Sequence, residues 1–236
     1  MRHTWSDSGR FGQRIFYTIG EMDRMCEEEL RKAGYMPDKP SPVRIDRFVE
    51  KHYARIDYVD LPEGVLGCTE FAKTGKVVRV VIASALDSKE THVERRLRST
   101  IAHEAGHCML HPSLFISDGL QSTFQNETMA FVKEMKFMCR DTDIRPEAEQ
   151  KKAYDGRWWE YQANRAIGGF LLPKKLVEVA IEPFITKTSL GTAGVLDESR
   201  RREAVYLLAD TFDVNPKAAE IRLSEMYPVG DRQLTL

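Results

Sequence analysis

The sequence predicts an α+β fold, mainly helical, with a small three-stranded antiparallel sheet and a C-terminal helical subdomain. Three observations carry this. Apolar residues recur at helical spacing before residue 55 and again after residue 90. The stretch between them changes to β-branched runs separated by turn sequences. The order of helices, a meander and then helices only is that of an α+β chain rather than of alternating βα units.

Residues 1–10 are polar and are expected to fray. Over residues 11–33, Ile15, Ile19, Met22, Cys26 and Leu30 fall near one helical face, and Gly34 stands where a C-terminal glycine cap belongs. Pro37, Pro40 and Pro42 mark an extended linker, after which residues 43–53 resume helical spacing. Strands are expected at 56–59, 64–71 and 77–83, with a hairpin turn at Thr74-Gly75. A helix follows over 91–111 and is stopped by Pro112, because the residue before a proline avoids the α region. Residues 131–138 have partial helical spacing, and 141–156 are too polar to build core and read as a mobile loop. A second long helix covers 157–172 and ends at Pro173, with a short helix over 174–180. Residues 185–197 read as a loop. Two helices, 198–212 and 216–226, close the chain, with Asn215 as N-cap and Pro216 in the first turn. The division expected is 1–40 as N-terminal helix and linker, 41–183 as core, and 184–236 as the C-terminal subdomain.

Bulk properties exclude several functions. Lys and Arg number 35 against 36 Asp and Glu, a net charge of −1, so broad electrostatic binding to nucleic acid or an anionic membrane is not expected. Cys26, Cys68, Cys108 and Cys139 are too few and too scattered for a disulfide scaffold and suit the reducing cytoplasm. Residues 1–20 hold no apolar leader run, and the apolar stretch 77–86 is broken by Arg79 and too short to span a bilayer. A soluble cytoplasmic protein with no membrane partner is expected.

The chemistry concentrates in His103-Glu104-Ala105-Gly106-His107. Four helical residues turn through 400°, so the two imidazoles lie about 40° and one turn apart and can reach one ion. Neutral imidazole suits Zn²⁺, and Glu104, beside the first donor, is placed to take a proton from water on the metal. A catalytic zinc needs a third protein donor. His111 lies about 12 Å from His103 along the helix axis, too far for an unbroken helix to bring both to one ion. Glu160 is the alternative. It heads the next apolar helix, and Asn164 one turn later could accept the free N–H of a ligating histidine. Spacing alone leaves Glu160 equally readable as an acid facing the helix dipole. Cys108 and Cys139 are expected in the core, and Trp158 and Trp159 as packing anchors. Residues 200–226, with Arg200, Arg201, Arg202, Lys217 and Arg222, resemble a helix-turn-helix DNA reader, although a packing cap is the favoured reading.

The residues Ser99-Thr100-Ile101-Ala102-His103-Glu104-Ala105-Gly106-His107, then Leu110-His111, Glu160-Tyr161-Gln162-Ala163-Asn164 and Phe170-Leu171-Leu172-Pro173 carry a likeness. With Pro42-Val43-Arg44-Ile45 and Asp60-Leu61-Pro62 upstream, and residues 208–214 and 221–223 downstream, the chain resembles the ImmA/IrrE family of metallopeptidases over roughly residues 22–227. The resemblance implies a zincin-like core with one Zn²⁺ per chain, held by His103, His107 and Glu160, with Glu104 as base. It implies a helix-turn-helix repressor protein as the substrate, cut at a defined bond. No repressor-type domain precedes the core, so the substrate would be a separate partner. The segment between His107 and Glu160 is long, and part of it is expected to cover the cleft. The competing reading is a non-catalytic regulatory protein that binds a repressor or DNA, with zinc structural or absent. A structural zinc would have all four positions filled by protein.

Overall fold

Thr18 decides where the first long helix begins. Its hydroxyl accepts the backbone N–H of Glu21 (3.2 Å), and the Glu21 carboxylate accepts the backbone N–H of Thr18 (2.8 Å). This reciprocal pair is a capping box, and it starts helix α1 at Ile19–Ala33. Gly34 ends it in the left-handed conformation (φ 76°), as its place in the sequence predicts. The helix expected from residue 11 therefore starts later. The computed structural model describes residues 2–5, 13–116, 136–140, 157–186 and 195–228, and in it Arg2–Trp5 (β1) pairs antiparallel with Gln13–Phe16 (β2). Ile15 is buried, as a core position should be, but on a strand. The expected fraying of residues 1–10 is corrected by β1 for residues 2–5.

Helix α2 (Ile45–His52) leads into strands β3 (Ile56–Val59), β4 (Val65–Phe71) and β5 (Val77–Ala83). The β4–β5 hairpin turns at Gly75, whose φ of 76° and N–H bonded to the Ala72 carbonyl (2.9 Å) realise the turn that Thr74-Gly75 signals. The α+β class is as expected, but the sheet has four strands in the order β3-β5-β4-β6. Strand β6 (Lys136–Arg140) replaces part of the helix expected at 131–138; residues 131–135 lie outside the described residues. Because β6 takes the second edge of β4, β3 pairs with the far edge of β5, and there it runs parallel. The all-antiparallel expectation fails at that one pairing.

Helix α3 (Thr91–Leu110) passes between the sheet and helix α4 (Trp158–Leu171). From Ser99 to Cys108 it is buried on every side. Close approach of α3 and α4 depends on small residues. A Cβ on Gly106 would stand 2.9 Å from the Ala166 Cβ and 3.0 Å from the Ala163 Cα. Gly106→Val is therefore expected to force the helices apart, destabilising the protein by about 1–3 kcal/mol and weakening any metal held between them. Denaturant unfolding and metal titration would check this; unchanged stability would mean the contact is slack.

After α5 (Lys174–Ala180), Ile185–Thr186 (β7) pairs with Val195–Leu196 (β8), where a loop was expected. Helices α6 (Arg201–Thr211) and α7 (Pro216–Met226) follow, with Asn215 capping α7. They are fastened to α3 by charge. Arg95 pairs with Asp210 (2.9 Å) and Asp213 (3.1 Å), and the Arg98 guanidinium donates to the carbonyls of Asp213 (2.9 Å) and Val43 (3.0 Å). Arg222, one of the cations that the helix-turn-helix likeness draws on, is buried. It pairs with Asp23 of α1 (2.8 Å) and donates to the Leu172 carbonyl (3.1 Å). Arg200, Arg201 and Lys217 pair with Glu203, Glu198 and Glu220 within one turn. Among the described residues no helix is long and apolar enough to cross a membrane.

Candidate metal centre

One face of α3 carries His103, Glu104 and His107, and the first turn of α4 carries Glu160. All four are buried. The His103 and His107 Nε2 atoms stand 3.0 Å apart, and the Glu160 Oε2 lies 3.2 Å from the first and 3.4 Å from the second. Spacing left Glu160 open between ligand and dipole acid. Its carboxylate turns inward to the histidines, so these three residues could hold a metal ion. Trp158 and Trp159 are buried at the start of α4, as packing anchors should be, and the close approach of α4 to α3 at Gly106 sets Glu160 beside the histidines.

Each histidine has its outer nitrogen occupied. His103 Nδ1 lies 2.9 Å from Asn164 Oδ1, so the N–H donates there and the Nε2 lone pair faces Glu160. Asn164 thus does what its spacing suggested. His107 has a longer chain that the sequence did not reveal. Its Nδ1 meets His111 Nδ1 at 3.0 Å, His111 Nε2 meets Gln162 Oε1 at 3.0 Å, and the Gln162 amide donates to the Ile15 carbonyl at 2.7 Å. The Ile15 carbonyl can only accept, so it fixes the Gln162 amide. The amide oxygen then requires N–H at His111 Nε2, which leaves Nδ1 free to accept from His107. His107 is left with its Nε2 lone pair facing the other donors. His111 is therefore not one of the converging donors; it orients His107.

Gln162→Leu keeps the volume but breaks this chain at the amide. Metal affinity is expected to fall roughly 10–100-fold, as for other hydrogen-bond partners of metal-bound histidines. Competition with a chromophoric chelator measures it, and an unaltered affinity would show that the chain does not orient His107.

Glu104 leans toward the sheet. The Thr69 hydroxyl of β4 donates to Glu104 Oε2 at 2.5 Å. Gly67 lies directly under the other oxygen, where a Cβ would come within 2.7 Å of Oε1. Neither Thr69 nor Gly67 stood out in the sequence, because nothing in a strand's alternation says which helix residue it will face. Cys139 of β6 is buried, as expected, but not among purely apolar neighbours. Its sulfur, a His103 ring nitrogen and a Glu104 carboxylate oxygen lie within 4.8 Å of one another. Cys108 is also buried and joins no such cluster among the described residues.

Burial would by itself lift the Glu160 carboxyl, but the facing His107 and His103 hold it well below the usual carboxylate range. Burial pushes His107 down to about 4, and pushes His111 far below its ordinary value with the help of neighbouring His107. At His103 burial acts downward too, but Cys139 and Glu160 outweigh it and the net direction is up. Burial raises the Cys139 thiol to about 12. Compared with known proteins, the chain matches no family model and no curated protein.

Proposed function

We propose that this chain is a zinc-dependent endopeptidase that cuts a helix-turn-helix repressor protein in the cytoplasm, where its four cysteines stay free. The observation that carries the reading is the convergence of His103 Nε2, His107 Nε2 and Glu160 Oε2 with Glu104 alongside. The donor set fits zinc. Two imidazole nitrogens and one carboxylate oxygen are borderline and hard donors of the kind catalytic zinc takes. Their separations of 3.0, 3.2 and 3.4 Å are close to the edge of a tetrahedron with bonds of roughly 2.0–2.1 Å, about 3.3 Å. Bound there, zinc would acidify a water molecule and polarise the scissile carbonyl.

The remaining work falls to the protein. Asn164 and the His111–Gln162 chain hold both imidazoles with Nε2 toward the ion. The Thr69 hydroxyl holds one oxygen of Glu104 and so sets the angle of the carboxylate. Glu104 takes the proton of the attacking water and delivers it to the leaving amine. The choice of a repressor as substrate is supported by the likeness of residues 99–111 and 160–173 to the ImmA/IrrE family. Incubation with the repressor encoded beside this gene, with and without a zinc chelator, tests it by intact mass. Two fragments summing to the repressor plus one water, seen only with metal, are expected; an intact repressor under both conditions would overturn the proposal.

A further inference from the structure

We propose that the N-terminal hairpin is a latch on the metal centre: through the Ile15 carbonyl it decides which nitrogen of His107 carries hydrogen, and so whether His107 presents a lone pair to a metal. The inference rests on the zinc reading above and deepens it by naming what regulates the site.

The hairpin, β1 with β2, is a two-stranded sheet apart from the four-stranded one. Such a pair is marginal in water by itself and keeps its shape only where something holds it. Residue 15 supplies two holds. Its side chain is buried in the core, and its carbonyl accepts from the Gln162 amide at 2.7 Å. From there the chain runs inward through His111 to His107, with 3.0 Å at each further step. Gln162, His111 and His107 are all buried, so water does not compete for these bonds. Trp158 packs edge-on against the His111 ring, centroids 5.8 Å apart, which opposes rotation of that ring.

A chain of this kind has two directions. With the hairpin seated, the carbonyl demands an N–H from Gln162, and every hydrogen points away from the centre: His107 Nδ1 to His111, His111 Nε2 to Gln162, Gln162 to Ile15. With the hairpin lifted, that demand is gone, water reaches the outer end and the amide can turn over. Gln162 then donates to His111 Nε2. The His107 Nδ1 hydrogen passes to His111 Nδ1, the His111 Nε2 hydrogen passes to water, and water returns one to His107 Nε2. Each ring keeps one hydrogen, but that of His107 now sits where a metal takes a lone pair. Coupling is reciprocal, so a metal on His107 must in turn tighten the hairpin.

Hydrogen–deuterium exchange of the full chain, with and without saturating zinc, tests this. The amides of residues 13–16 are expected to exchange roughly 10–100-fold more slowly with zinc, the factor that loss of such a partner costs in metal affinity. In Gln162→Leu at saturating zinc the slowing should vanish. Ile15→Asp puts a charge in the core and unseats the strand. It should weaken zinc binding by the same factor, and weaken it no further when added to Gln162→Leu. Should Ile15→Asp fail to fold, the exchange data decide alone. Zinc bound with hairpin exchange unchanged, equal slowing in Gln162→Leu, or additive losses of affinity overturn the inference and leave the peptidase reading standing. No zinc bound at all overturns both.

Discussion

Glu104→Gln is expected to keep fold and metal and to slow cleavage of the repressor by roughly 10²–10⁴-fold, the usual contribution of a general acid–base group. The amide is nearly isosteric, so the close seat over Gly67 is not disturbed. Its oxygen can still accept the Thr69 hydroxyl that now bonds Glu104 Oε2. What it cannot do is take a proton from water. Glu104 is not among the three donors that converge on one point, so zinc content should stay at one per chain. Single-turnover rates with the repressor, alongside elemental analysis, check both halves. Cleavage at the wild-type rate would remove Glu104 from the mechanism.

His103→Ala and Glu160→Ala are each expected to abolish tight zinc binding, a larger loss than cutting an orienting hydrogen bond brings. Each removes one corner of a three-donor set whose members stand 3.0–3.4 Å apart. The effect is visible in stability. Zinc at a hundredfold excess over its Kd is expected to stabilise the wild type by about 2.7 kcal/mol. For a chain of this size that is a rise in Tm of roughly 5–11 °C. Neither variant should show the rise. A full zinc-dependent shift in Glu160→Ala would strike that residue from the ligand set and return the third position to an open question.

Much of the architecture could be read from local patterns. The glycine cap at Gly34, the turn at Gly75, the stop at Pro112 and the cap at Asn215 each depend on a residue's own backbone preferences, and each is where it was expected. The start of α1 was misread although Thr18 and Glu21 spell a capping box, because apolar spacing continues upstream through Ile15. The parallel pairing of β3 was not legible, since it depends on β6, which arrives over fifty residues later and occupies the edge of β4. Residues 117–135 and 141–156, where a covering loop was expected, lie outside the described residues.

The centre divides in the same way. His103, Glu104 and His107 could be placed from the sequence because one helix fixes their relation: 3.6 residues per turn makes an i, i+4 pair a pair on one face. Asn164 could be placed relative to Glu160 for the same reason. What spacing could not decide is whether Glu160 faces the histidines, because that depends on how α4 docks on α3. The docking is set by Gly106 against Ala163 and Ala166, a contact between residues more than fifty positions apart. The Ile15–Gln162–His111 chain, the Thr69 bond to Glu104 and the place of Cys139 beside His103 are likewise contacts between separate elements. Local helical geometry determined the pair of imidazoles and the carboxylate beside them. Only tertiary packing decided what surrounds them, because it alone brings side chains distant in sequence within bonding distance.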